Sequence, residues 1–153
     1  MPQWGLAATI GAIIGFGAAA TSVWAGPKIV SPGSAFHAIN GRFGSCYVGG
    51  GWNCVVDGDT FYMDGVKIRI ADIDAPETHP PRCDLERRLG YAATKRLRQL
   101  LNSGPVILSR IDRDEDVYGR KLRNALVNGA DVGETLVSEG LAHRYVHGKL
   151  PWC

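Results

Sequence analysis

Residues 54–78 read CVVDGDTFYMDGVKIRIADIDAPET, and the fold turns on this stretch. Val66, Ile68 and Ile70 alternate with Lys67 and Arg69, the period of a strand with one buried face. Upstream, Val55-Val56 and Thr60-Phe61-Tyr62-Met63 are two short extended segments around the tight turn Asp57-Gly58. Asp64-Gly65 is a favoured two-residue hairpin connection. Three strands joined by hairpins make an antiparallel meander. Pro76, with no N–H to give a ladder, closes it after Asp74.

Beyond the meander the period changes. Leu85, Leu89, Ala92, Ala93, Leu97 and Leu100 recur at three or four residue intervals, which predicts a helix over 84–101. Asp84 is its expected cap, and Asn102-Ser103-Gly104-Pro105 its stop. Val106-Ile107-Leu108 reads as a fourth strand, Asp112–Asp116 as an acidic turn, and Lys121–Val127 as a fifth strand. After the turn Asn128-Gly129, Val132–Ser138 reads as a short helix ending at Gly140, and residues 141–146 pack back on the body. The expectation is a mainly β chain with helices. A curled five-stranded sheet with a helix against its open end is an OB-fold barrel.

Composition bounds the rest. With 153 residues, 45% hydrophobic and 21% charged, the chain is neither disordered nor a coiled coil, and its length suits one domain. The 17 basic and 15 acidic residues leave a charge of +2, which excludes a histone-like coat but not a local basic site. Residues 1–27 carry no Asp, Glu, Lys or Arg. Leu6–Ala20 is apolar and small residues follow, so residues 1–25 read as a signal peptide removed after Ala25 or as a membrane anchor. A soluble N-terminal helix is the third alternative. Membrane contact is expected only through residues 4–24, if the signal stays. Residues 26–52 read as a Gly, Ser and Pro-rich lead-in of linker and loop with an incidental His37, and residues 53–153 as the folded domain.

The expected location is extracytoplasmic: secreted, periplasmic or tethered. The even cysteine count agrees. Cys46, Cys54, Cys83 and Cys153 allow three connectivities. The favoured one joins Cys46 to Cys54 around a short Gly-rich loop and Cys83 to Cys153, which ties down the last residue. Zinc is disfavoured, because no Cys-x₂-Cys knuckle is present.

Three polar groups flank the predicted turns and strand ends: Asp57 and Asp59; Arg69 with Asp72, Asp74 and Glu77; and Arg120. Carboxylates with waters suit Ca²⁺, a pair of arginines suits phosphodiester oxygens, and a nearby carboxylate suits an attacking water. Ordinary turn and surface polarity is the competing reading. In a straight strand Arg69 also faces away from Asp72 and Asp74, so convergence requires a bend between Ile70 and Asp74.

Taken in order, Val56-Asp57-Gly58-Asp59-Thr60, Ile68-Arg69-Ile70, Asp74-Ala75-Pro76-Glu77-Thr78, Asp116-Val117-Tyr118-Gly119-Arg120 and Gly140-Leu141-Ala142 resemble the thermonuclease, or staphylococcal-nuclease-like, family. The resemblance runs from Asn53 to Tyr145. It implies an OB-fold and hydrolysis of DNA and RNA phosphodiesters, usually with Ca²⁺ though other divalent cations are open, leaving 5′-hydroxyl and 3′-phosphate ends. By position, Asp59 and Asp74 match the metal-binding carboxylates, and Ala75, where some members have Thr, keeps the backbone carbonyl lent to the metal. Arg69, Glu77 and Arg120 match the catalytic trio, and Asp57 a supporting acid near the metal. Tyr145 resembles a tyrosine beside the nucleotide pocket, where a ring can stack on a base; a packed tail tyrosine is the other reading. Tyr118 is expected to be structural. His143 and His147 are assigned no chemistry, and Glu86 is expected only to hold an arginine on the long helix. The sequence stops soon after Tyr145, so Cys83–Cys153 is expected to replace the packing of the longer C-terminal helix of other members. A monomeric nuclease is the leading expectation, and a non-catalytic OB module binding single-stranded nucleic acid the alternative.

Overall fold

The computed structural model describes Met1 and residues 38–47, 50–146 and 148–153. The expected leader or anchor, His37 and His147 lie outside them. The described elements are β1 (Ala38–Ile39), β2 (Gly44–Ser45), β3 (Cys54–Val55), β4 (Thr60–Met63), β5 (Val66–Ile70), β6 (Ile73–Asp74), α1 (Asp84–Leu101), β7 (Val106–Glu115), β8 (Lys121–Val127), β9 (Ala130–Asp131), α2 (Val132–Ser138) and β10 (His143–Arg144).

The meander forms as the alternation requires, with Phe61 opposite Ile68 and Thr60 opposite Arg69. Asp64 and Gly65 take positive φ in the connecting turn, the conformation that twists the hairpin correctly. The five expected strands lie in the order β7-β8-β5-β4-β3, with β5 and β8 parallel. That order is consistent with an OB-fold. The barrel itself is not closed: among the described residues no ladder joins β3 to β7, and the sheet ends instead on β2 and β1.

Those edge strands revise the reading of residues 26–52 as linker and loop. β1 pairs with β7, and β2 runs parallel to β3. Phe43 explains why this stretch is drawn in. It is buried edge-on against Phe61, and the Asn102 amide accepts from its N–H and donates to its C=O. A buried aromatic and a satisfied backbone outweigh the local Gly content.

The acidic run is also not a turn as expected, since β7 continues to Glu115. Lys121 and Arg123 of β8 reach across to Asp114, and Lys121 also meets Glu115, so opposite charges keep the run extended.

α1 has the expected span, but its buried face is Glu86, Gly90, Ala93, Leu97 and Leu101, one step round from the leucine stripe. Leu85 is exposed. The rotation follows from close approach to the loops of the sheet. A Cβ on Gly90 would lie 2.9 Å from the Pro76 carbonyl oxygen, and one on Gly58 2.6 Å from the Ala93 Cβ. Bare backbone at Gly58 and Gly90 therefore lets the helix press on both acidic loops. Cys83, not Asp84, caps α1; Asp84 instead pairs with Arg87. Glu86 meets Arg82, which precedes the helix. Both favoured disulfides are formed.

Candidate active site

The carboxylate arm comes from the meander. β5 ends at Ile70, and Asp72 takes φ 61°, a left-handed turn that an aspartate tolerates. This supplies the bend that period 2 demanded, and β6 returns Asp74 to the Arg69 side. The guanidinium then ties three segments together. Nη1 lies 2.6 Å from Asp59 Oδ1, Nη2 3.5 Å from Asp74 Oδ1, and Nη2 donates to the Ile73 carbonyl at 3.1 Å. Asp59 is satisfied further by the Thr60 hydroxyl at 2.7 Å and the Ala75 N–H at 3.1 Å. Asp57 accepts from the Asp59 N–H, closing the turn beneath.

The second arm is the β7–β8 hairpin. Asp116 accepts from the Tyr118 N–H, the Arg120 N–H and Arg120 Nε, the last at 2.6 Å. Gly119, at φ 75°, makes this loop possible. Burial pushes the Asp116 carboxyl upward, but these hydrogen bonds outweigh it and hold it below the ordinary carboxylate value. Arg120 Nη1 reaches the Thr60 hydroxyl at 3.4 Å, and Thr60 donates to Asp59, so a polar chain joins the two arms.

A cleft of about 840 Å³ opens between them, with Arg69, Glu77, Arg120, Tyr118, Tyr145 and Lys149 in its walls. Asp57, Asp59 and Asp74 are not in its lining; the latter two lie behind Arg69. The structure thus brings the expected catalytic trio to one cleft and places the expected metal carboxylates under its floor. Tyr145 is half exposed and its N–H donates to the Asp72 carbonyl. Tyr118, expected as structural, is 81% exposed with the Arg120 guanidinium 5.4 Å from its ring centroid. Sequence reasoning also missed Thr60, Asp116 and Lys149. Thr60 and Asp116 lie inside quoted motifs, whereas no spacing pointed to Lys149. A second groove of about 830 Å³, between residues 40–44 and 98–104, contains none of these groups.

Burial pushes Asp57 up to about 7, helped by repulsion from Asp59 and Glu77 and opposed by the Asp59 N–H. For Arg69, desolvation acts downward, but Asp59 and Asp74 overcome it and hold the guanidinium charged. Asp74 Oδ1 is buried without an aligned hydrogen bond, although Lys149 Nζ stands 3.2 Å away. An all-oxygen donor set, with a buried carboxylate oxygen that no aligned hydrogen bond satisfies, suits a hard divalent cation. Among the described residues no three acidic, His or Cys side chains converge on one point, so protein ligation would rest on Asp59 and Asp74 with backbone or water oxygens.

Comparison with known proteins gives a consistent result. The profile of the family described as Staphylococcal nuclease homologue matches residues 67–150, more than half of the chain. Endonuclease YncB of Bacillus subtilis (strain 168) is 40% identical over 92 residues, covering 57% of this chain and 43% of that protein. The SPbeta prophage-derived endonuclease YokF of the same organism is 42% identical over 92 residues, covering 57% and 31%. Endonuclease YhcR, also from it, is 35% identical over 102 residues, covering 60% and 8%. The chain thus spans less than half the length of these curated relatives.

Proposed function

The chain belongs to the staphylococcal nuclease homologue family, and on that premise we propose that it is a divalent-metal-dependent nuclease hydrolysing phosphodiesters of DNA and RNA. Nucleases of this family generally depend on a divalent metal. In our reading the ion is Ca²⁺, held by Asp59 and Asp74 with the Ala75 carbonyl, and it supplies positive charge at the scissile phosphate. Glu77, on the cleft wall, orients a water and takes its proton on a carboxylate oxygen as the water oxygen bonds to phosphorus. The P–O5′ bond breaks and the leaving 5′-oxygen takes a proton from solvent water, leaving 3′-phosphate and 5′-hydroxyl ends. Arg69 and Arg120 neutralise charge on the phosphoryl oxygens, and each planar fork can meet two of them. Asp57 supports the carboxylate turn, and Tyr145 stacks on a base.

The observation that carries this reading is the meeting of Arg69, Glu77 and Arg120 on one cleft between exposed tyrosines. In the same reading the protein is a monomer. Residues 1–25 are its signal or anchor, and residues 53–153 together with the edge strands β1 and β2 are its catalytic domain. It works outside the cytoplasm, which two disulfides and no free cysteine support. Among the described residues no helix is long and apolar enough to cross a membrane. The test is cleavage of denatured DNA and of RNA by the purified chain in Ca²⁺ and in chelator. Cleavage that stops in chelator supports the reading, and robust cleavage in chelator removes the metal from it. Binding without cleavage under any divalent cation makes the chain a nucleic-acid-binding OB module.

A further inference from the structure

Lys149 belongs to none of the motifs above, yet it reaches the site. Its Nζ lies 3.2 Å from Glu77 Oε1 and 3.2 Å from Asp74 Oδ1. Both ends of the tail that carries it are fastened. β10 pairs with β6, setting His143 opposite Asp74. At the other end Trp152 is buried, its ring stacked on His143 at 3.7 Å, and Cys153 is bonded to Cys83 at the start of α1. The lysine therefore lies on a short bridge between the strand of Asp74 and the helix that follows Glu77.

Glu77 has little else to orient it. Its backbone is in the loop between β6 and α1, and among the described residues no donor other than Lys149 reaches its carboxylate. Both side chains are exposed by more than 40%, and an ion pair so open to solvent adds little to stability. Its value lies in geometry, because a general base displaced from its water loses rate steeply.

We propose that Lys149 is a positioning residue for the reaction, aiming the Glu77 carboxylate at the attacking water, and that the Cys83–Cys153 tether exists to deliver it. The inference rests on the role of Glu77 proposed above. It assigns to a tail lysine a function that separates turnover from binding: its Nζ is taken up by the Glu77 and Asp74 carboxylates, so its loss is expected in the chemical step more than in the grip on nucleic acid.

The experiment is a double-mutant cycle on the full chain, with single-turnover cleavage and DNA affinity measured for wild type, Lys149→Met, Glu77→Gln and the combination. Lys149→Met is expected to slow cleavage by about tenfold or more with DNA affinity nearly unchanged. Lys149→Arg should restore most of the rate. On the Glu77→Gln background Lys149→Met should change the rate far less, since only the contact with Asp74 remains. Cys83→Ser/Cys153→Ser should reproduce the Lys149→Met loss and add nothing to it.

Wild-type speed in Lys149→Met, an effect that multiplies with Glu77→Gln, or a loss confined to affinity overturns the proposal while leaving the nuclease reading intact. Full cleavage by Glu77→Gln, or none by wild type, overturns both.

Discussion

The two arms of the cleft hold their arginines by different means. Arg69 is gripped by Asp59 and Asp74, which come from separate segments of the meander and are nearly buried. Arg120 is gripped by Asp116, four residues back in its own loop, which fixes its backbone and side chain together. One arginine is part of how the domain closes, and the other is mounted on a self-contained hairpin. Stability and chemistry should therefore be coupled at Arg69 and separable at Arg120.

The largest contrast is in stability. Arg69→Met removes the cation that bridges two buried carboxylates and should cost about 3–5 kcal/mol, the range for breaking a buried ion pair. Arg120→Met should cost less, about 1–3 kcal/mol, because Asp116 keeps its bonds from the Tyr118 and Arg120 N–H groups. Urea denaturation of both variants measures this, and equal losses would erase the distinction between the arms.

Asp59→Asn sharpens the comparison from the metal side. It removes charge from the carboxylate arm alone, so Ca²⁺ affinity by calorimetry should fall by more than about tenfold. Cleavage should recover in part at high Ca²⁺, and the hairpin should be untouched.

Asp116→Asn is the smallest test. It loosens Arg120 without altering the carboxylates, so turnover should drop by about tenfold at unchanged DNA affinity. Its pH signature has a definite sign. The Asp116 carboxyl is held below its ordinary value, so its stabilising contribution is complete above that value and is lost as pH falls through the lowered one. The gap in Tm between wild type and Asp116→Asn should be constant from neutrality to about pH 5, then narrow below about pH 4.

What could be read from the sequence divides along the same line. In the hairpin arm Arg120 was legible and its partner was not: Asp116 read only as the end of an acidic turn, although it lies four residues back in the same loop. The meander was legible in its strands and turns, from alternation at Val66–Ile70 and from Asp64-Gly65. Whether Arg69 and Asp74 converge was not, because it depends on a left-handed turn at a non-glycine residue, Asp72. The inward face of α1 was set by bare backbone at Gly58 and Gly90 rather than by its leucines. β1 and β2 were hidden because Phe43, a lone aromatic in a Gly-rich stretch, shows no period. Lys149 was hidden for a related reason: its place depends on a disulfide and a stacked tryptophan at the far end of the chain.

The account is tested most directly by single-turnover cleavage of denatured DNA by Arg120→Lys, with DNA affinity measured on the same folded variant. Lysine keeps the charge but loses the fork. If Arg120 acts on the transition state, the rate should fall by orders of magnitude, roughly 10²–10³ by analogy with removing one oxyanion donor, while affinity stays within about twofold. A near-normal rate would contradict the proposed active site, even in a protein that folds as described here.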